Sequence, residues 1–205
     1  NKFSSVFGTG ASALRYARAV RFPWRPVLLA AAAAFAFSFL GATAVTLLSK
    51  EAVRPLVLTL LIVMLGYTLA KKDFGALHRP REVGRRELLI ALAMGGVIGF
   101  YDGFFGPGTG SFLIFLFVRF FGLDILRASA ASKVVNLATN VAALSFFVPS
   151  GNVLLALAVP MAAANVLGAV TGTRLALRGG TPLIRKLFVV LVVVLIARMA
   201  WDTFR

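Results

Sequence analysis

The chain contains a long stretch without a charged residue, from Val27 to Ser49. An α-helix rises 1.5 Å per residue, so this stretch would form a helix about 34 Å long, enough to cross the roughly 30 Å hydrocarbon core of a bilayer. Hydrophobic residues make up 60% of the chain and its mean hydropathy is +0.91, which leaves too few polar residues for a soluble domain. By the same reasoning, transmembrane helices are predicted at 26–48, 53–71, 126–147, 153–174 and 184–202, with a more polar helix at 1–18.

The formal net charge of +15 comes from lysines and arginines that cluster in the short connections between the apolar stretches. Such clusters indicate membrane topology rather than a nucleic-acid-binding face, because basic connections stay on the cytoplasmic side. We therefore expect the connections at 15–25, 71–87 and 174–186 to be cytoplasmic. The connections near 49–54 and 148–152 are less basic and should lie on the opposite side.

A glycine-rich sequence, GFYDGFFGPGTG at 99–110, interrupts the apolar pattern between 87 and 121. Its glycines and Pro107 would break a regular helix. We therefore expect two short segments here, separated by a broken or re-entrant turn.

The chain contains an internal repeat. Three successive blocks match in order: 1–14 with 132–145, 39–45 with 166–172, and the stretch that begins at Arg54 with the stretch that begins at Arg185. The charges of the connections make the helix at 1–18 run toward the cytoplasm and the helix at 126–147 run away from it, so the repeats are inverted, as in many secondary transporters.

The alignment predicts an all-α, polytopic transmembrane bundle with the remainder of a first repeat at 1–75, a basic cytoplasmic linker at 76–86 and a second repeat at 87–205. No earlier copy of the glycine-rich segment precedes residue 1, so we expect the front end of the first repeat to be missing.

The helix predicted at 126–147 carries one polar stripe, because its polar residues recur at steps of three or four. The members of this stripe are Ser129, Ser132, Lys133, Asn136, Thr139 and Asn140. A partner stripe near the start of the chain consists of Lys2, Ser5 and Thr9. Lysine supplies positive charge while threonine and asparagine donate hydrogen bonds to anion oxygens, so both stripes are candidate solute-binding faces. We expect the two lysine-bearing stripes to face one shared cavity within the bilayer. The alternative is that these residues only let helices pack closely and hydrogen-bond to one another.

The glycine-rich segment is a further candidate for solute binding, through Gly106, Gly108, Thr109 and Gly110. At the start of a short helix its backbone N–H groups could bind an anion, or its glycines could only permit a tight turn. Asp102 lies beside the break, where a carboxylate could take up a proton and couple its movement to transport. The alternative for Asp102 is a helix cap that faces water at the membrane interface.

Two sequence blocks, GFYDGFFGPGTGSFL at 99–113 and ASAASKVVNLATN at 128–140, resemble the sulfite exporter TauE/SafE family (TSUP), particularly its YfcA-like members. The opening NKFSSVFGTGASALRY resembles the matching block in the first half of that family. The resemblance implies a multi-pass transporter of the bacterial inner membrane that moves sulfite, sulfonates or related sulfur-containing anions. Together with the inverted repeats, it predicts transport by alternating access.

The sequence argues against an enzyme, since no Ser/His pair, metal-ligand cluster or pair of carboxylates occurs within the predicted spans. Cysteine is absent and His78 is the single histidine, so neither a metal site nor a cofactor is expected. The expected partners are a small anionic solute and membrane lipid, and not nucleic acid. A homodimer or association with a larger membrane complex is left open, and the alternative function is a non-transporting accessory subunit of such a complex.

Overall fold

The computed structural model of the chain describes residues 2–44, 54–70, 74–149 and 155–204. Every regular element in these ranges is an α-helix, which confirms the predicted all-α fold. The helices are α1 (Lys2–Ala19), α2 (Trp24–Ala44), α3 (Arg54–Ala70), α4 (Arg85–Phe104), α5 (Thr109–Phe121), α6 (Ile125–Phe147) and α7 (Leu155–Phe204). Among the described residues, α2, α4 and α6 are long and apolar enough to cross a membrane, and α5 and most of α3 are shorter apolar helices.

Three of the predicted helices, at 1–18, 53–71 and 126–147, correspond closely to α1, α3 and α6. Helix α2 begins at Trp24, two residues before the predicted start, because Pro26 fits in a first turn where its missing N–H is not needed. The predicted end of this helix and most of the connection at 49–54 lie outside the described residues. The same is true of Lys71, Lys72 and part of the connection at 148–152.

Two predicted helices, at 153–174 and 184–202, are parts of α7, which is interrupted only at Gly180. The predicted connection at 174–186 is therefore reduced to a break at Gly180, and the rest of this range is helical. Gly180 has φ 59° and ψ −162°, a conformation that glycine adopts at little steric cost. Pro182 follows in the first turn after this break, where the lack of an N–H is tolerated. The chain thus changes direction at a single residue.

The expectation of two short segments between 87 and 121 is half correct. Helix α5 has 13 residues, but α4 runs for 20 residues and includes the first half of the glycine-rich sequence. The break is confined to 105–108, where Gly106 and Gly108 have φ values of 91° and 83°. Gly99 and Gly103 stay helical and face α2, and Gly110 lies in α5 against Asn136.

Three glycines of α4 allow its backbone to contact the backbone of α2. A Cβ added to Gly95 would lie 2.8 Å from Ala30 Cα, and one added to Gly99 would lie 2.5 Å from Ala34 Cα. A Cβ on Gly103 would lie 2.8 Å from the carbonyl carbon of Ser38. These positions repeat every four residues on both helices, so small side chains line one face of each helix and permit close packing.

Helices α4 and α5 form a hairpin that returns to the end of the bundle at which it began. The segment before α4 is tied to the turn after α5, because the Arg79 N–H donates to the Gly122 carbonyl at 2.9 Å and the Ile125 N–H donates to the Gly75 carbonyl at 2.9 Å. We call this the basic end, since Arg79, Arg81 and Arg119 lie there. A 13-residue helix is about 20 Å long, so the break at 105–108 lies deep within the bundle, as expected for a re-entrant turn.

The packing is consistent with two inverted repeats. The repeat alignment pairs Gly8 with Thr139. Extended by one residue before the second block (39–45 with 166–172), it also pairs Ser38 with Asn165. The Ser38 hydroxyl donates to the Thr139 carbonyl at 3.0 Å, which joins α2 to α6. Gly8 lies so close to Asn165 that an added Cβ would overlap the asparagine side chain, which joins α1 to α7. Equivalent residues of the two repeats thus make equivalent contacts.

Candidate functional site

A cavity of about 300 Å³ opens where the start of α1 meets the break between α4 and α5. We call it the first cavity. It is lined by Lys2, Ser5, Thr9, Asp102, Phe105, Gly106, Pro107, Gly108, Thr109, Gly110, Asn136 and Asn140. Because α5 begins here, the positive end of its dipole adds to the attraction of the lining lysine for an anion.

An ion pair between Lys2 and Asp102 forms one wall of the first cavity. Lys2 Nζ lies 2.9 Å from Asp102 Oδ2 and donates a hydrogen bond to the Asp102 carbonyl at 2.8 Å. The Thr109 hydroxyl donates to Asp102 Oδ1 at 2.9 Å. Asp102 is only 6% exposed, so the alternative of a water-facing cap is wrong for this conformation. Two donors of the cavity are thus bound to an acid of the protein itself.

A second cavity, of about 590 Å³, lies nearer the basic end. Its polar lining consists of Ser12, Tyr16, Ser111, Ser129, Ser132, Lys133, Asn136 and Thr173. Its remaining walls are mostly apolar side chains of α7, among them Leu187 and Phe188. Lys133 is therefore the cation of this cavity, as Lys2 is of the first.

The two cavities meet at Asn136, Gly108 and Gly110, which line both. A Cβ added to Gly110 would lie 3.4 Å from Asn136 Nδ2, so the asparagine closes against the glycine backbone. Asn136 Oδ1 is buried and has no hydrogen-bond partner among the described residues. Leaving a buried acceptor unpaired costs about 1–3 kcal/mol, so this oxygen favours a donor that arrives from either cavity.

The order of the two cavities along the bundle axis follows from the antiparallel arrangement of α1 and α6. The first cavity is lined by residues early in α1 and in the middle of α6, whereas the second is lined by residues late in α1 and early in α6. Helix α6 begins at the basic end, where Ile125 bonds to Gly75. The cavities are therefore arranged in series along the bundle axis, with Asn136 between them.

The residues of the predicted polar stripe of α6 face two different cavities. Asn140 faces the first cavity, Ser132 and Lys133 face the second, and Asn136 faces both. Thr139 lines neither, because its side chain is fully buried, its hydroxyl bonds to the Asn136 carbonyl at 3.0 Å and its carbonyl bonds to α2. The expectation that both lysines face one shared cavity is wrong, since the break between α4 and α5 separates them.

The stripe predicted on α1 lies intact in the first cavity, where Asn140 Nδ2 lies 3.5 Å from Thr9 Oγ1. The sequence analysis missed its continuation toward the basic end through Ser12 and Tyr16. The signal was available, because 2, 5, 9, 12 and 16 follow steps of three and four. Thr173 was also missed; its hydroxyl donates to the Ser12 hydroxyl at 3.1 Å, and no pattern in its own helix indicates it.

The described residues contain no group of three or more His, Asp or Glu side chains that could hold a metal ion. The polar groups that line the two cavities are ammonium groups, hydroxyls, amides and one carboxylate. Such groups bind, orient and release a small polar solute.

Comparison with known proteins gives a family match over nearly the whole chain. A family model described as "Sulfite exporter TauE/SafE" matches residues 1–199. The chain is 33% identical over 202 residues to "Probable membrane transporter protein ORF9" of Sinorhizobium sp, an alignment that covers 98% of this chain and 77% of the relative.

Two further relatives are matched over most of this chain. "Probable membrane transporter protein YfcA" of Escherichia coli K12 is 35% identical over 170 residues, with 82% of this chain and 62% of the relative covered. A "Probable membrane transporter protein" of Haemophilus influenzae is 34% identical over 168 residues, with 80% and 65% covered. The aligned region is thus somewhat under two thirds of the length of these two relatives. No solved structure matches the chain.

Proposed function

The chain belongs to the sulfite exporter TauE/SafE family, and from that premise we propose that it is a secondary transporter of small anions. The solutes are sulfite, sulfonates or related sulfur-containing anions, the class that the family description points to. The proposal places the chain in the bacterial inner membrane as a multi-pass protein with its basic end in the cytoplasm, because basic connections stay on that side.

The observation that carries the proposal is the pair of cavities in series that share Asn136. Each contains one lysine, so an anion is offered a cation on both sides of the constriction. The hydroxyls and amides beside each lysine replace the water that a small oxyanion loses on entry, without requiring a particular protonation state. A non-transporting accessory subunit would not require two adjoining cavities that each contain a lysine.

The proposed mechanism is alternating access between the two cavities. The repeats, 1–75 and 87–205 with a linker at 76–86, rock against each other and expose the region around Asn136 to one side and then to the other. Lys2 attracts the anion in the first cavity, Asn136 contacts it at the constriction, and Lys133 receives it in the second. Asp102 is the proposed proton carrier, because it is the acid nearest the path and faces Lys2 directly.

Replacement of Lys133 or Asn136 by alanine tests the proposed path. We expect both Lys133→Ala and Asn136→Ala to abolish flux of labelled sulfite into proteoliposomes, since each removes a solute contact without adding bulk. Lys186→Ala is the matched control, because Lys186 is an exposed lysine outside both cavities. Elution profile and helix content should be unchanged in all three variants. Wild-type flux in both cavity variants would remove these residues from the path.

A further inference from the structure

A third polar cavity lies at the basic end, outside the proposed transport path. It has a volume of about 420 Å³ and is formed by the end of α3, the segment before α4 and the end of α5. Three arginines form its rim, Arg79, Arg81 and Arg119, and its lining contains no acidic residue. The ion pairs of the described residues include none of these arginines, and the nearby Asp124 is already paired with Arg127.

The rim is held in place by the backbone rather than by flexible side chains. The N–H groups of Arg79 and Arg81 donate to the carbonyls of Gly122 and Phe121 at 2.9 and 3.1 Å. Gly122 has φ 67°, and a Cβ on it would collide with the Arg79 backbone, so this pairing depends on glycine. Arg81 Nη2 also donates to the Arg119 carbonyl at 3.3 Å, which holds two of the guanidinium-bearing residues together. Such preorganisation lowers the entropic cost of binding a ligand at the rim.

The wall of this cavity is apolar. Tyr67, Phe74, Leu77, Val118 and Leu123 contribute to it. Tyr67 and Phe74 pack edge to face at 5.5 Å, and Phe115 supports both rings from α5. A free inorganic anion would use only the charged rim. A ligand with a phosphate next to hydrocarbon would use both the rim and the wall.

We propose that this cavity binds the phosphate of an anionic phospholipid from the cytoplasmic leaflet. The guanidinium groups bind phosphate oxygens through paired, charge-assisted hydrogen bonds, and the upper part of an acyl chain lies along Leu77 and Val118. Basic pockets between transmembrane helices on the cytoplasmic side favour such headgroups. The proposal uses the orientation argued above but does not depend on which solute is transported.

The test compares retained lipid in two triple variants with equal loss of charge. One variant is Arg79→Gln/Arg81→Gln/Arg119→Gln in the third cavity, and its control is Arg18→Gln/Arg21→Gln/Arg178→Gln, at exposed arginines outside it. Native mass spectrometry after exchange from phosphatidylcholine vesicles with and without phosphatidylglycerol measures the bound lipid. We expect the first variant to lose phosphatidylglycerol affinity by roughly fivefold per arginine removed, and the control to match the wild type.

Three results would overturn the proposal. Equal loss in both variants would mean that only the overall charge attracts lipid. Equal retention of phosphatidylcholine and phosphatidylglycerol by the wild type would mean that the apolar wall alone binds. Displacement of the lipid by millimolar inorganic phosphate would mean that the rim is a site for a soluble anion. The single variant Arg119→Lys retains the charge and provides a second test if the triple variant is poorly folded. We expect this variant to lose part of its lipid binding, because a lysine cannot make the paired contact with phosphate.

Discussion

At the scale of single residues, the sequence identified most of the polar residues that line the first and second cavities, but not which cavity each residue lines. The steps of three and four on α1 and α6 predict which face of a helix is polar, and that face contacts the cavities except at Thr139. Periodicity on one helix carries no information about the element that packs against it. The break at 105–108 inserts between Lys2 and Lys133, so two residues predicted to share a cavity occupy two.

Asp102 provides a residue-scale prediction about coupling. Asp102→Asn keeps the size of the side chain and an oxygen that can accept from Thr109, but it removes the charge that faces Lys2 and the ability to take up a proton. We expect sulfite uptake driven by a pH gradient to be lost while exchange of sulfite across the membrane continues, because Lys2 is then free to bind the anion.

The measurement is uptake into proteoliposomes with and without an imposed pH gradient, together with exchange at equal pH. Glu82→Gln is the matched control, since Glu82 is an exposed acid outside the first and second cavities. Gradient-driven accumulation in Asp102→Asn equal to that of the wild type would exclude Asp102 as the proton carrier.

At the scale of elements, the sequence predicted where most helices lie but not the exact residues at which a helix is interrupted. Apolar length identified α2, α3 and α6, because a bilayer requires long apolar stretches. Glycine was interpreted as a breaker throughout 99–110, yet only the glycines with positive φ, Gly106 and Gly108, interrupt the chain. Gly99 and Gly103 remain helical where α2 approaches, and that approach is a tertiary property.

The contact between α2 and α4 leads to a prediction at this scale. Gly99→Ala places a Cβ 2.5 Å from Ala34 Cα, so the two backbones must separate. Overpacking of this kind costs about 1–3 kcal/mol, even though alanine favours a helix by up to about 1 kcal/mol over glycine. Gly96→Ala is the matched control on the same helix, because its Cβ would meet only the Phe37 ring at 3.5 Å. We expect the unfolding midpoint in one detergent to fall for Gly99→Ala and to be unchanged or higher for Gly96→Ala. Similar midpoints for the two variants would mean that the α2–α4 approach does not limit stability.

At the scale of the whole molecule, the repeat alignment is supported by pairs of contacts that no single helix reveals. Gly8 against Asn165 and Thr139 against Ser38 are equivalent positions in opposite halves, and each contact joins one repeat to the other. The proposed rocking of one repeat against the other would therefore have to shift both contacts while access to Asn136 changes.

The orientation of the whole chain can be tested with cysteine labelling, because the sequence contains no cysteine. Leu77 is 55% exposed at the basic end, and Val148 is 52% exposed just after α6. Helix α6 has 23 residues and is therefore about 35 Å long, which exceeds the hydrocarbon core and places the two positions on opposite faces of the membrane. We expect a membrane-impermeant maleimide to label Leu77→Cys only in inside-out vesicles and Val148→Cys only in right-side-out vesicles.

Labelling of both positions from one face would mean that α6 does not cross the membrane. Labelling from opposite faces in the reverse sense would place the basic end outside, and the anionic lipids of the cytoplasmic leaflet could then not reach its arginines.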